Sequence, residues 1–203
     1  MEPCMVAVCG LNGAGKTTLL RALAGILPIT SGQRIWNQVS FEIKRPEIAY
    51  IPQKKDMDSG FPMNVLSWVE SGRYSHCGLW RRFSKQDNEI VQSALQSTQI
   101  EPIKDQSLNT LSGGQLQRAY IARALAQEAK LILMDEPLEG LDEGSRTEVL
   151  KTMRTLVDHG AIILASLHNQ NTCRSSFTYC AWIEAQGMKL STNNEGCFHN
   201  GLA

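Results

Sequence analysis

The stretch Gly10-Leu11-Asn12-Gly13-Ala14-Gly15-Lys16-Thr17 decides the fold, because it fits the phosphate-binding pattern G-x-x-x-x-G-K-[ST]. Glycines at 13 and 15 allow successive backbone N–H groups to turn inward and cradle an anion, which side chains there would obstruct. Lys16 supplies a cation for the β- and γ-phosphates of a nucleoside triphosphate, and the Thr17 hydroxyl is suited to ligating Mg²⁺. The pattern therefore predicts a site for a triphosphate and its magnesium ion.

The residues on either side of this loop have the pattern that such a loop requires. Val6-Ala7-Val8 predicts a short buried strand before the loop, and apolar residues at helical spacing between 19 and 27 predict a helix after it. The N-terminus of that helix would direct its dipole at the phosphates.

The composition limits the remaining function classes. Lys plus Arg (20) equal Asp plus Glu (20), so there is no basic excess of the kind that binds nucleic acid, and we expect no nucleic-acid partner. No apolar run approaches the roughly 18 residues of a membrane span, and residues 1–4 lack a signal-peptide pattern. The six cysteines have no zinc-site spacing, although Cys197 and His199 leave a weak metal fragment open.

Apolar runs alternate with helical patterns along the chain. Strands are predicted at 48–51, 131–134 and 162–165, with a helix over 145–158 between the last two, which favours a parallel sheet with right-handed crossovers. Residues 33–41 predict paired edge strands. Residues 63–126 are predicted to be a helical insertion with a helix over 116–126, and 73–84 within it reads as an exposed loop.

Two acids, Asp135 and Glu136, end the strand at 131–134. Carboxylates at the carboxyl edge of a parallel sheet lie where such sheets bind their ligands. Asp135 suits the holding of Mg²⁺ opposite Thr17. Glu136, on the opposite side of the strand by alternation, is a candidate base for the attacking water.

Ser112 is followed by Gly113, Gly114 and Gln115 at the start of a predicted helix. A helix that opens this way offers free N–H groups, and so a second anion site on the same chain. One triphosphate has no evident use for two such sites on one chain. Two copies arranged head to tail would use both, with each phosphate loop facing the other copy's Ser112.

The chain resembles the ATP-binding cassette (ABC) ATPases over about residues 5–184. The resemblance rests on motifs that occur in the family's order: the phosphate loop, Gln53, Leu111 to Gln115, Asp135-Glu136 and His168. The resemblance implies one α/β domain over 1–203 with the P-loop NTPase fold, a mostly parallel central sheet and an inserted helical signature subdomain. Residues 1–62 and 127–203 would form the nucleotide-binding core, and 63–126 the helical subdomain.

The resemblance also implies roles for individual residues. Glu136, His168 and Gln53 would be catalytic, with His168 bonding the γ-phosphate and Gln53 sensing Mg²⁺ and the water. The metal would be held by Thr17, Gln53 and Asp135. Asp142 would cross the dimer interface. It ends the run 139–142, whose first position holds Glu139 where the family usually has a small residue. The residues expected to bind ATP are Gly10, Asn12, Gly13, Ala14, Gly15, Lys16, Thr17, Thr18, Ser112, Gly113, Gly114, Gln115 and Asp142.

Residues 50–74 and 78–83 are similar to the ABC branch that serves manganese, zinc and iron importers. This likeness implies a homodimer of ATPase subunits, two membrane permease subunits that dock near Gln53, and indirectly a solute-binding protein. The expected location is the cytoplasmic face of the inner membrane, as a peripheral subunit. A soluble cassette acting in repair or translation is a third, disfavoured reading, because such proteins usually have two cassettes or a coiled-coil arm and this chain has neither.

One departure from the family concerns the adenine base. Only nine residues precede Gly10 and the first aromatic is Trp36, so we expect the family's N-terminal antiparallel strands and base-stacking aromatic to be truncated here. Stacking is worth on the order of 1–3 kcal/mol, so we expect ATP and GTP to bind with similar, weak affinity unless Trp36 replaces the platform. A catalytically weak regulatory or structural cassette is therefore a second reading of the chain.

Overall fold

The computed structural model describes residues 2–36, 39–40, 47–56, 62–78, 82–168, 170–184 and 187–192. Six strands form one sheet in the order β4-β5-β6-β1-β7-β8, in which only the last pair is antiparallel. A short antiparallel pair, β2 and β3, lies apart from it. The strands are β1 Cys4–Cys9, β2 Ile35–Trp36, β3 Val39–Ser40, β4 Ile48–Ile51, β5 Leu131–Met134, β6 Ile162–Ser166, β7 Tyr179–Glu184 and β8 Gly187–Thr192.

Seven α-helices and four short 3₁₀ segments connect the described strands. The α-helices are α1 Lys16–Leu23, α2 Val65–Glu70, α3 Tyr74–Cys77, α4 Lys85–Ser97, α5 Gly113–Ala126, α6 Glu143–Asp158 and α7 Gln170–Ser176. The 3₁₀ segments are Lys54–Asp56, Ser71–Arg73, Glu101–Ile103 and Leu108–Thr110. This mixed α/β architecture, with its mostly parallel sheet and helices between the strands, is the predicted fold class.

The helices α5 and α6 begin earlier than the apolar periodicity predicts. Ser112 caps α5 by accepting a hydrogen bond from Gln115 N–H, and Asp142 caps α6 by accepting from Ser145 N–H. Each side chain satisfies one of the N–H groups that a first helical turn leaves free. The two glycines after Ser112 are therefore helical, and they do not form a separate turn.

The central strands of the sheet are buried on both faces, whereas the edge strand β8 is largely exposed. All four residues of β5 are buried, as expected for a parallel strand covered by helices on each side. On one face a small apolar cluster contains Val8, Leu20, Leu133 and Trp36, and Trp36 is only 9% exposed. Trp36 is thus a core residue, which corrects the suggestion that it could serve as a base-stacking platform, because a ring enclosed by side chains cannot stack on a base.

The segment predicted as an exposed loop at 73–84 differs from the prediction in two respects: residues 74–77 form α3 and Arg73 is buried, whereas most of its other described residues are exposed as predicted. Arg73 is buried, with Nε 2.9 Å from Asp87 Oδ1 and Nη1 2.7 Å from Glu128 Oε2. Arg73 Nη1 also donates to the Ala126 carbonyl at 2.8 Å. Hydrogen bonds from Ser84, and then the Arg73 guanidinium, lower the pKa of Asp87 to about 2. Residues 79–81 lie outside the described part.

Helices α2, α4 and α5 pack on one another, and their apolar faces are continuous with the larger core cluster beneath the sheet. Helix α5 also contacts α6 and β4, so it joins the helical segment to the sheet. The division into a core of 1–62 and 127–203 and a helical subdomain of 63–126 stays a prediction. Among the described residues, no helix combines the length and apolar character that crossing a bilayer requires.

Candidate active site

The phosphate loop joins β1 to α1 at the carboxyl edge of the sheet. Gly13 and Gly15 have φ values of +79° and +90°, a region that residues with a Cβ rarely adopt, so the predicted need for glycine is met in the backbone itself. Gly15 is the N-cap of α1. Lys16 is buried, and its amine donates to the carbonyls of Gly10 at 3.0 Å and Leu11 at 3.1 Å. The loop thus holds its cation beside the backbone that would surround a phosphate.

Asp135 lies one residue beyond the end of β5 and is 1% exposed. Its Oδ1 accepts a hydrogen bond of 2.7 Å from Ser166 Oγ on the neighbouring strand β6. On the other side, the Tyr50 hydroxyl of β4 lies 3.5 Å from Oδ2 and accepts a bond of 3.1 Å from Arg21 Nε of α1. The two strands beside β5 therefore both contact this carboxylate.

Glu136 is not an alternating strand residue, which corrects the sequence interpretation. Strand β5 has already ended, and Glu136 has a φ of +48°, an uncommon conformation for a residue with a side chain. This backbone turn brings its carboxylate to His168, whose Nε2 is 2.5 Å from Oε1. Gln53 donates through Nε2 to the other oxygen of Glu136. The three predicted catalytic residues are therefore in direct contact.

Glu139 joins this group, although its sequence position did not suggest a place in the catalytic centre. It accepts a hydrogen bond of 2.8 Å from Gln53 Nε2, and Glu136, Glu139 and His168 present ligand atoms within 4.8 Å of one another. Burial and the neighbouring Glu139 raise the pKa of Glu136, and the hydrogen bond from Glu136 lowers the pKa of Glu139. The only sequence signal was an acid where the family has a small residue.

An open cavity of about 470 Å³ lies between the phosphate loop and this carboxylate group. Its lining includes most of the predicted phosphate-loop residues together with the catalytic ones: Asn12, Gly13, Gly15, Lys16, Thr17, Thr18, Gln53, Lys55, Glu136, Glu139 and His168. Gly10 and Ala14 belong to the phosphate loop but are not among the lining residues, and neither is the buried Asp135. Residues from four separate parts of the sequence thus meet at one edge of the sheet.

The second predicted anion site is elsewhere on the molecule. Ser112 and its Gly113-Gly114-Gln115 run do not line the cavity, and neither does Asp142. A Cβ on Gly113 would come within 2.5 Å of Lys54 Nζ, and one on Gly114 within 2.9 Å of Ser145 Cβ. The two glycines therefore let the start of α5 pack closely against Lys54 and α6, with the Ser112 end exposed.

Comparison with known proteins places this geometry in a family. Residues 3–139 match the ABC transporter family. The manganese transport system ATP-binding protein MntB of Listeria innocua is 36% identical over 165 residues, 81% of this chain and 69% of that protein. The zinc transport system ATP-binding protein TroB of Treponema pallidum is 36% identical over 177 residues, 87% of this chain and 66% of that protein.

Solved structures agree with the sequence comparison. An ABC transporter described as of the metal-chelate type, in an inward-facing conformation, has a TM-score of 0.82 at 28% identity over 97% of this chain and 74% of its own. An ATP-binding cassette in its ADP conformation, 21% identical, has a TM-score of 0.81 over 94% of this chain and 81% of its own, and shows the fold alone. The chain is therefore an ATP-binding ATPase subunit of the ABC transporter family.

Proposed function

We propose that this chain is the ATP-hydrolysing subunit of a metal-ion importer, with manganese, zinc or iron as the transported ion. The convergence of Lys16, Glu136, Gln53 and His168 on one cavity carries the ATPase part of this proposal. The manganese and zinc systems named among the relatives support the metal part. Two membrane permease subunits, and indirectly a solute-binding protein, would complete the system at the cytoplasmic face of the membrane.

The cavity suits a triphosphate by charge and by backbone geometry. Lys16 supplies a buried cation, and the turns at Gly13 and Gly15 can direct N–H groups at phosphate oxygens. The oxygens of Thr17, Asp135 and Gln53 are the hard ligands that Mg²⁺ prefers, so these residues would hold the ion. Bound there, Mg²⁺ supplies positive charge that offsets the charge on the β- and γ-phosphates.

Glu136 is the residue we assign as the base. Its pKa is raised by burial, which brings a carboxylate closer to the proton affinity that removing a proton from water requires. His168 and Gln53 each bond one oxygen of this carboxylate, so the pair holds it at a fixed orientation beside the cavity. In the presence of ATP the same two side chains would be within reach of the γ-phosphate and the attacking water.

Two copies of the chain, head to tail, would complete two sites. Ser112, at the exposed start of α5, offers the free N–H groups of a helix N-terminus to the γ-phosphate bound by the other copy. Asp142, whose carboxylate is held by Ser145, begins α6 next to it and would lie at the same interface. This arrangement uses the second anion site that the chain's own cavity does not contain.

A groove of about 500 Å³ between the sheet and the helical segment suits the membrane subunits. It is lined by Tyr50 of β4, by Ser71, Gly72 and Tyr74 at the α2–α3 junction, and by Arg123 of α5. Gly72 keeps this junction close to α5, since a Cβ there would come within 2.5 Å of the Arg123 carbonyl. A cytoplasmic helix of a permease seated in this groove would contact both parts of the chain at once.

The metal part of the proposal is tested by uptake. Cells that lack this gene are complemented with the parent chain or with Glu136→Gln, and the uptake of labelled manganese, zinc and iron is measured. We expect the parent alone to restore uptake of one of these ions. Unchanged uptake of all three in the deletion strain would contradict the metal assignment.

Substitution of Glu139 should move the pH dependence of turnover. Glu136 acts as a base only when deprotonated, and the negative neighbour Glu139 contributes to its raised pKa. Glu139→Gln removes that charge, so the pKa of Glu136 falls and the acid limb of the turnover–pH profile should shift to lower pH. Turnover at saturating ATP is measured across the acidic to neutral range, with the exposed acid Glu143→Gln as a control. An unshifted acid limb would contradict the influence of Glu139.

A further inference from the structure

Ser166 is a buried hydroxyl in an otherwise apolar strand. It is the last residue of β6, it is fully buried, and β6 lies between β5 and β1 in the sheet. The register pairs Ala165 with Met134 and Ser166 with Val8. Ser166 therefore lies beside the point where β5 ends and where β1 leads into the phosphate loop.

The hydroxyl of Ser166 makes two short hydrogen bonds to consecutive residues of the candidate site. Its Oγ donates to Asp135 Oδ1 at 2.7 Å, and it accepts from the backbone N–H of Glu136 at 2.8 Å. One hydroxyl has one donor and two acceptor positions, so these two bonds are compatible. A single atom thus connects the carboxylate expected at Mg²⁺ with the backbone of the expected base.

The contact with Ser166 stabilises both Asp135 and Glu136. Asp135 is almost fully buried, and a buried carboxylate is costly unless donors reach it. Glu136 has its backbone in the left-handed region, a conformation that persists at functional sites when surrounding contacts enforce it. The bond to Ser166 fixes the N–H of that strained residue, and the strained turn is what directs Glu136 toward His168.

We propose that Ser166 is a positioning residue for ATP hydrolysis, which sets the carboxylate of Asp135 and the backbone of Glu136 through one hydroxyl group. The inference rests on the proposed function, because it assigns Asp135 to Mg²⁺ and Glu136 to the base. Loss of the hydroxyl affects steps that depend on Mg²⁺ and on the base, and it leaves the binding of metal-free ATP to the phosphate loop intact.

The test compares Ser166→Ala with Ser166→Thr, which keeps the hydroxyl. Thr98→Val is the matched control, because Thr98 is also fully buried and its hydroxyl bonds the Ala94 and Leu95 carbonyls, in the helical segment. Each variant of the full chain is first checked for the parent's melting temperature. ATP affinity is then measured by calorimetry, once with a chelator and once with Mg²⁺. The binding of Mn²⁺ to the ATP complex is measured by electron paramagnetic resonance. Turnover is measured as a function of Mg²⁺ concentration.

For Ser166→Ala we expect unchanged affinity for ATP in chelator, and a loss of about 10–100-fold in Mn²⁺ affinity and in kcat, the size typical of residues that orient metal ligands. Ser166→Thr should recover most of both, and Thr98→Val should match the parent. Three results would each overturn the inference: parental Mn²⁺ affinity and kcat in Ser166→Ala, no recovery in a stably folded Ser166→Thr, or an equal loss in Thr98→Val. Absence of ATP binding and turnover in the parent chain would instead overturn the proposed function.

Discussion

Glu136→Gln is expected to lower ATP turnover by about 10²–10⁴-fold, the usual contribution of a general base, while ATP affinity stays at the parental level. The amide keeps the size of the carboxylate and can still bond His168 and Gln53, so the site should keep its shape. It cannot take a proton from water. Turnover is measured by phosphate release from the parent and variant, with the membrane subunits present once they are identified.

The control for Glu136→Gln is Glu143→Gln, at an acid that is 86% exposed at the start of α6 and has no contact with the cavity. This control should keep parental turnover. Equal rates for Glu136→Gln and the parent would remove Glu136 from the role of base. A parallel loss of ATP affinity would show that Glu136 shapes the binding site and is not only a base.

Lys16→Ala is expected to weaken ATP binding by about ten- to a hundredfold. Hydrogen bonds to charged groups are worth about 1.5–3 kcal/mol, and about 1.4 kcal/mol corresponds to a factor of ten in affinity. The substitution also removes the donor to the Gly10 and Leu11 carbonyls, so the loop loses its internal support as well as its cation. Affinity is measured by calorimetry with ATP in the presence of Mg²⁺.

Lys55→Ala is the matched control for Lys16→Ala, because Lys55 also lines the cavity but is exposed to solvent. Screening by water makes an exposed charge worth little, so its loss should change affinity only slightly. If Lys16→Ala binds ATP as the parent does, the phosphate loop is not the nucleotide site of this chain.

The local parts of the fold were predictable because their causes are local. The phosphate loop requires glycine at 13 and 15, and both have the positive φ that this requirement implies. Strands at 48–51 and 131–134 have the predicted bounds, because continuous apolar runs between turn residues have few other uses in a parallel sheet. The mixed α/β class follows from the alternation of such runs with helical patterns.

The errors arose where tertiary contacts override local pattern. The sequence around Arg73 predicts a loop, because the residues that bind its guanidinium, Asp87 and Glu128, are distant in sequence. Trp36 was considered as a base-stacking aromatic because its sequence position does not reveal that the sheet and α1 enclose it. Glu136 reads as a strand residue, since strand alternation does not reveal the backbone turn after Met134.

The residues missed in the candidate site share a different cause. Ser166 and Tyr50 belong to apolar strands, where a single polar residue gives no signal until the neighbouring strand shows its partner. Glu139 was noticed only as a departure from the family, and its contact with Gln53 depends on the turn that follows Asp135. Pairing of strands that are far apart in the chain brings Ser166 and Tyr50 to their common partner, Asp135.

Mixing two inactive variants tests the head-to-tail account most directly. Copies with Lys16→Ala have a weakened phosphate loop but keep Ser112, and copies with Ser112→Arg keep the phosphate loop but have bulk and charge at the second anion site. A dimer of one copy of each contains one intact site, formed by Lys16 of one copy and Ser112 of the other. At an ATP concentration that saturates the parent but not Lys16→Ala, we predict little turnover by either variant alone and a regain of turnover in their mixture. A mixture as inactive as its separate components, or parental turnover by Ser112→Arg alone, would contradict the account.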